Sequence, residues 1–167
     1  MVVASTPYQV CICFVIRTGP RGVGQVLLGR KKTGLGLGNV VGLGGKLEAG
    51  ESALQAIVRE VAEESGLIVA PGDLNEKGYL RYRFPTKESW SQDSTVFVTR
   101  VFQGEPVETE EISPAWYDVD ALPLEKMWDD ARYWLPRVLA GEEIRASFTF
   151  AEDLATVATS SLFEQEC

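Results

Sequence analysis

With 167 residues, 45% of them hydrophobic and 24% charged, the chain is long enough for one full core and has an ordinary globular composition. A net charge of −8 disfavours a bulk nucleic-acid binder, and no apolar run approaches the ~20 residues needed to cross a bilayer. The chain contains no histidine, which excludes histidine zinc sites and Ser/His or Cys/His catalysis; a general base must be a carboxylate, Lys, Tyr or Cys. Three cysteines, an odd number, argue against a disulfide framework and fit a reducing, cytoplasmic setting.

Tyr8–Arg17 and Gly24–Lys32 read as two strands joined by a Gly/Pro turn. Cys11 and Cys13, two apart, share one face of the first strand. Residues 1–47 contain six bases (Arg17, Arg21, Arg30, Lys31, Lys32 and Lys46) and no acid, a charge of +6, whereas the remainder has ten bases and 24 acids, a charge of −14. A basic segment beside an acidic one suits a polyphosphate held by cations and bridged through a metal. Residues 33–45 are rich in glycine, which permits close backbone approach to a ligand. They match neither a P-loop nor a dinucleotide fingerprint.

The segment GKLEAGESALQAIVREVAEESGL, residues 45–67, crowds Glu51, Glu60, Glu63 and Glu64 together with only Lys46 and Arg59 as nearby cations. Its pattern predicts a helix over 52–66, with Ser52 as N-cap and Gly66 as the stop. Leu54, Ile57, Val58 and Val61 form its buried stripe, and Ala53 and Ala56 fall on the acidic side, leaving room for a substrate. Glu60, Glu63 and Glu64 share a face, where like charges cost roughly 0.2–0.5 kcal/mol a pair. Either the face is merely solvated, or a hard divalent cation such as Mg²⁺ offsets the repulsion.

Further along, Tyr79–Phe84 and Thr95–Phe102 alternate as strands around a polar loop at 85–94, and Gly104–Glu111 reads as an acidic loop. A short strand is expected at Trp116–Val119 and a second helix over 126–140 containing Pro136. Glu143–Phe150 reads as another strand, with a further one in Asp153–Cys167. No internal repeat, linker or domain boundary is evident, so 1–167 reads as one layered α/β domain.

Gly45, Glu51, Arg59, Glu60, Val61, Glu63, Glu64, Gly66 and Leu67 fill every specified position of the Nudix box, G-x5-E-x7-R-E-U-x-E-E-x-G-U. The chain resembles the Nudix hydrolases, and LLGRKKTGLGLG, FQGEPVETEE, MWDDARYWLP and ASFTF resemble the branch that hydrolyses oxidised purine nucleoside triphosphates. The resemblance implies an α/β/α sandwich with a mixed sheet and Mg²⁺-dependent attack of water on a phosphate chain, with Mn²⁺ as a substitute ion. In this branch the products are a nucleoside monophosphate and pyrophosphate.

By position, the resemblance implies metal binding by Glu60 and Glu64 with the Gly44 carbonyl nearby, completed or oriented by Glu63. It implies that Arg59 forks onto Glu51, leaves the base among Glu60, Glu63 and Glu111, and makes Glu111 either a further ligand or a solvated acid. Lys31 and Lys46 would meet the phosphates. The partner is then a small nucleotide, with no nucleic-acid polymer and no membrane; monomer and homodimer both stay open.

The base pocket departs from the branch. Val40-Val41 stand where relatives carry Trp-Asn, and Asn39 either replaces the lost amide or serves a turn. Asp130 keeps register with the first of a pair of acids that reads the oxidised base in relatives, and Ala131 replaces the second. Gln92 stands for a pocket methionine. Tyr82, Phe84 and Trp128 are candidates to stack on a base, and Trp134 reads as core. The alternatives are another nucleoside diphosphate derivative, such as ADP-ribose or a dinucleoside polyphosphate, and a non-catalytic nucleotide sensor.

Overall fold

β1 (Tyr8–Thr18) is the strand around which the sheet is arranged. The computed structural model describes residues 7–162. Along β1, Cys11, Cys13 and Val15 face one layer and Phe14 and Ile16 the other, following the two-residue period of a strand. One side of β1 pairs in parallel with β6 (Gln92–Thr99). Its other side is divided between two antiparallel neighbours: β4 (Leu43–Lys46) along Val10–Cys13, and β2 (Gly24–Lys31) along Ile16–Thr18. β2 also pairs with β3 (Val40–Val41) and β7 (Ile112–Asp118). Beyond β6 follow β5 (Asn75–Arg83), β8 (Ile144–Phe150) and β9 (Val157–Leu162), giving one mixed sheet of nine strands.

Helix α1 (Ala53–Ser65) covers the Cys11 face and α2 (Ala131–Leu139) the Phe14 face, so the expected α/β/α sandwich is what the chain forms. Neither helix is long and apolar enough to cross a membrane.

The start and stop of α1 follow local chemistry. Gln55 N–H donates to Ser52 Oγ at 3.1 Å and Ser52 N–H donates to the Gln55 side chain at 2.9 Å, a reciprocal capping box. Gly66 ends the helix at φ 78°, a left-handed conformation that favours glycine. Ile57 and Val61 are fully buried, with Leu54 and Val58 packed at the margin. Ala56 corrects the sequence reading: it is fully buried in this layer, and Ala53 packs against it.

One further expectation changes. The helix expected over 126–140 begins only at Ala131, because a 3-10 turn at Leu124–Lys126 and extended backbone at Met127 intervene. The glycine-rich stretch holds β3 and β4, whose backbone pairing is invisible to side-chain periodicity. In Asp153–Cys167 the strand is Val157–Leu162, and 163–167 lie outside the described residues.

Ser52→Ala removes one half of the capping box. It is expected to lower stability by about 1 kcal/mol, seen as a lower denaturant midpoint at unchanged slope.

Candidate active site

The acidic face of α1 is held by a cation that helical spacing alone undervalues. Arg59 donates to Glu51 through Nε and Nη2, both at 2.8 Å, so the expected fork is formed. Its Nη1 also reaches Glu60 at 2.8 Å and Glu63 at 3.1 Å. The fork holds the Glu51 carboxyl down at about 2, and the carboxylates push the guanidinium above its usual range. Arg59 therefore offsets much of the like-charge repulsion that seemed to lack a countercharge.

Glu60, with 8% of its surface exposed, is seated on β4. A side chain at Gly45 would place Cβ 2.6 Å from the Glu60 carboxylate, so glycine is required there by close approach. Glu64, 6% exposed, accepts a hydrogen bond from the Gly44 N–H at 2.7 Å. The Gly44 amide, where the resemblance implied its carbonyl, thus contacts the acidic group. Burial pushes the Glu64 carboxyl up to about 8, opposed by the Gly44 N–H and reinforced by Glu60 and Glu111. Burial also raises Glu60, against the pull of Arg59.

One carboxylate oxygen from each of Glu60, Glu64 and Glu111 lies within 4.8 Å of the others. Glu111 comes from the loop before β7, where the Lys32 N–H donates to its carbonyl at 2.8 Å and Thr109 Oγ1 donates to the Glu64 carbonyl at 3.1 Å. These convergent hard oxygen donors, two of them desolvated, fit a divalent metal ion. Glu63 stands apart from this trio: its side chain is 54% exposed and turned to Arg59.

A cavity of about 460 Å³ opens beside the carboxylates. Gly44, Gly45, Lys46 and Lys31 line its near end, while Tyr82, Phe84, Trp128, Asp130, Trp134 and Phe150 line the rest of it with Val40 and Val41. Phe84 stacks on Phe150 with centroids 4.6 Å apart, and Trp128 meets both rings edge-on. Lys46 also lies over the Tyr8 ring at 4.3 Å. Asp130, 3% exposed, accepts at Oδ2 from the Tyr82 hydroxyl at 3.0 Å and from Trp134 Nε1 at 2.7 Å. Trp134 is thus both core and hydrogen-bond donor.

Asn39 lies elsewhere. It lines a second cleft with Leu37, Asp129 and Thr156, separated from the first cavity at Trp128, and its backbone closes the glycine loop onto Lys31 and Gly36. It does not replace an amide inside the aromatic cavity. Gln92 does line that cavity, beside Ser94. Sequence reasoning missed Phe150 as a wall residue and the Tyr82–Asp130 bond. The alternation in ASFTF pointed toward the first, whereas the second links strand and helix segments far apart in sequence.

A cluster of convergent carboxylates beside an aromatic cavity, on an α/β/α sandwich, defines a domain of the Nudix class. Residues 7–138 match the NUDIX domain family, and the chain belongs to that family. It is 39% identical over 127 residues to the oxidized purine nucleoside triphosphate hydrolase of Danio rerio, covering 76% of this chain and 80% of the relative. It is 36% identical over 140 residues to the same-named protein of Mus musculus, covering 84% and 87%. Among solved structures it resembles the mutator MutT protein of Bacillus halodurans, with a TM-score of 0.75 and 25% identity over 93% of this chain and 97% of that one.

Because the folded Glu64 pKa, about 8, stands above its ordinary value of 4.5, its contribution to stability is full below pH 4.5 and lost as pH rises through 8. In chelator, the wild type should lose thermal stability over that window more steeply than Glu64→Gln. Added divalent ion should recover the wild-type loss at pH 8 and leave the variant unmoved.

Proposed function

We propose that this protein hydrolyses a nucleoside triphosphate, with an oxidised purine such as 8-oxo-dGTP as the favoured substrate, to a nucleoside monophosphate and pyrophosphate, and so cleans the nucleotide pool. The observation that carries this reading is the continuity of the site. The Gly44–Lys46 wall of the aromatic cavity is the same segment on which Glu60 and Glu64 are seated. A base stacked against Trp128 and Phe84 would then lead its phosphates toward Lys31, Lys46 and the three carboxylates. The curated relatives named above carry the same activity in their names.

Mg²⁺ is the proposed ion, held by Glu60, Glu64 and Glu111, with Mn²⁺ able to stand in. Bound there, it would supply charge neutralisation for the phosphate chain and lower the pKa of a coordinated water. The protein's own share is positioning. Arg59 fixes Glu51 and Glu60, and Gly44 fixes Glu64. Lys31 and Lys46 line the same cavity and would meet the outer phosphates. Among the three candidates for the base, Glu63 is the one outside the metal-ligating trio, and its exposed carboxylate is available to accept a proton from water. At the far end, the buried Asp130 would read the base.

Turnover should require Mg²⁺ and yield monophosphate and pyrophosphate. The Glu60→Gln/Glu64→Gln double variant should lose at least about a thousandfold in kcat, as expected when the groups that organise a phosphoryl-transfer site are removed. Glu63→Gln should lower kcat with little change in KM. Equal kcat/KM for dGTP and 8-oxo-dGTP would end the sanitising role while leaving the hydrolase; metal-independent release of pyrophosphate would end both.

A further inference from the structure

Tyr82 has a polar group that the proposed reaction leaves unused. Its ring packs on Phe148 with centroids 6.1 Å apart and planes 21° from parallel. A buried phenol needs a hydrogen-bond partner, and this one takes Asp130 Oδ2. The Trp134 indole takes the same oxygen. Both side-chain donors thus arrive at one oxygen of a carboxylate that lines the cavity, so the other oxygen is the one left to meet a ligand. Next to Asp130 stands Ala131, which supplies no second acid, and Ile12, Phe14, Val40 and Val41 give the cavity an apolar wall.

We infer that Tyr82 is a positioning residue for base selection: with Trp134 it holds Asp130 by Oδ2 as a hydrogen-bond acceptor, so that Oδ1 receives the amino group of a purine edge. This rests on the nucleotide reading above. The physical reason is a balance at Asp130. Burial favours the neutral acid, and the two donors favour the ionised one. With the phenol removed, only the indole and the Asp130 backbone N–H oppose burial, which Asp129 reinforces. The proton that Asp130 then retains sits on Oδ1, since Oδ2 still accepts from the indole. The group facing the ligand is thereby converted from acceptor to donor, and an amino group on the base loses its partner.

The test is metal-free binding of dGMP and dIMP, which differ only by the 2-amino group, measured by calorimetry on the full chain. The wild type is expected to prefer dGMP by about tenfold or more, the scale of a hydrogen bond to a charged group. In Tyr82→Phe, which keeps the ring and its packing, the two affinities should come within about threefold of each other. Asp130→Asn, a second route that leaves Tyr82 in place, should shrink the ratio similarly. The double variant should show no further loss, because both changes break one contact. A wild-type ratio retained in Tyr82→Phe, or a loss equal for both nucleotides, overturns the inference, since a structural role alone would weaken both alike. Intact discrimination without Mg²⁺-dependent turnover would overturn the proposed reaction and leave this inference standing. No binding of either monophosphate would overturn this inference and leave the proposed reaction to the turnover test.

Discussion

The site depends on the seating of Glu60 against the bare backbone of Gly45. A helix that presents three carboxylates in under two turns needs something to receive them, and β4 does so by having no side chains at Gly44 and Gly45. Gly45 leaves room for the Glu60 carboxylate, and the Gly44 amide meets Glu64. Arg59 then locks the arrangement from the solvent side through Glu51 and Glu60. The glycines and the arginine of this segment are one mechanical unit. Its product is a set of acids held close together before any ion arrives, which is the preorganisation that metal sites require.

The sequence made some of this legible because the signals were local. Ser52, Gln55 and Gly66 mark the ends of α1 by short-range hydrogen bonds, and the alternation along β1 marks its two buried faces. The Glu51–Arg59 fork was expected from the box. What escaped was set by tertiary contact. Helical geometry puts Ala56 on the acidic side, but only the approach of β4 decides that this part of the side is buried. Asn39 looked like an amide two residues from Val41, yet the backbone bonds of the glycine loop turn it into the neighbouring cleft. The second helix was drawn too long because Met127–Asp130 is polar and aromatic in a way compatible with a helix, while its actual role is to present Trp128 and Asp130 to the cavity.

The molecule also separates reaction from selection in space. The acids that would serve the phosphates lie between α1, β4 and the loop before β7. The groups that would meet the base come from β5, β8 and the approach to α2. These two sets come from different elements of the fold and meet along the Gly44–Lys46 segment. That division explains how a fully matched box can coexist with a cavity wall in which valine and alanine stand at positions the resemblance assigns to amide and acid.

The loop that brings Glu111 to the metal site is stitched to two other places. Thr109 ties it to the carboxyl end of the α1 acids, while Lys32, one residue beyond β2, holds it through both its backbone N–H and its ammonium. Lys32 opens the glycine loop whose Gly34 and Leu35 line the nucleotide cavity. A shift of Glu111 is therefore carried through the Lys32 backbone to the rim of the cavity. One hinge of backbone thus joins the acidic cluster to the rim of the cavity.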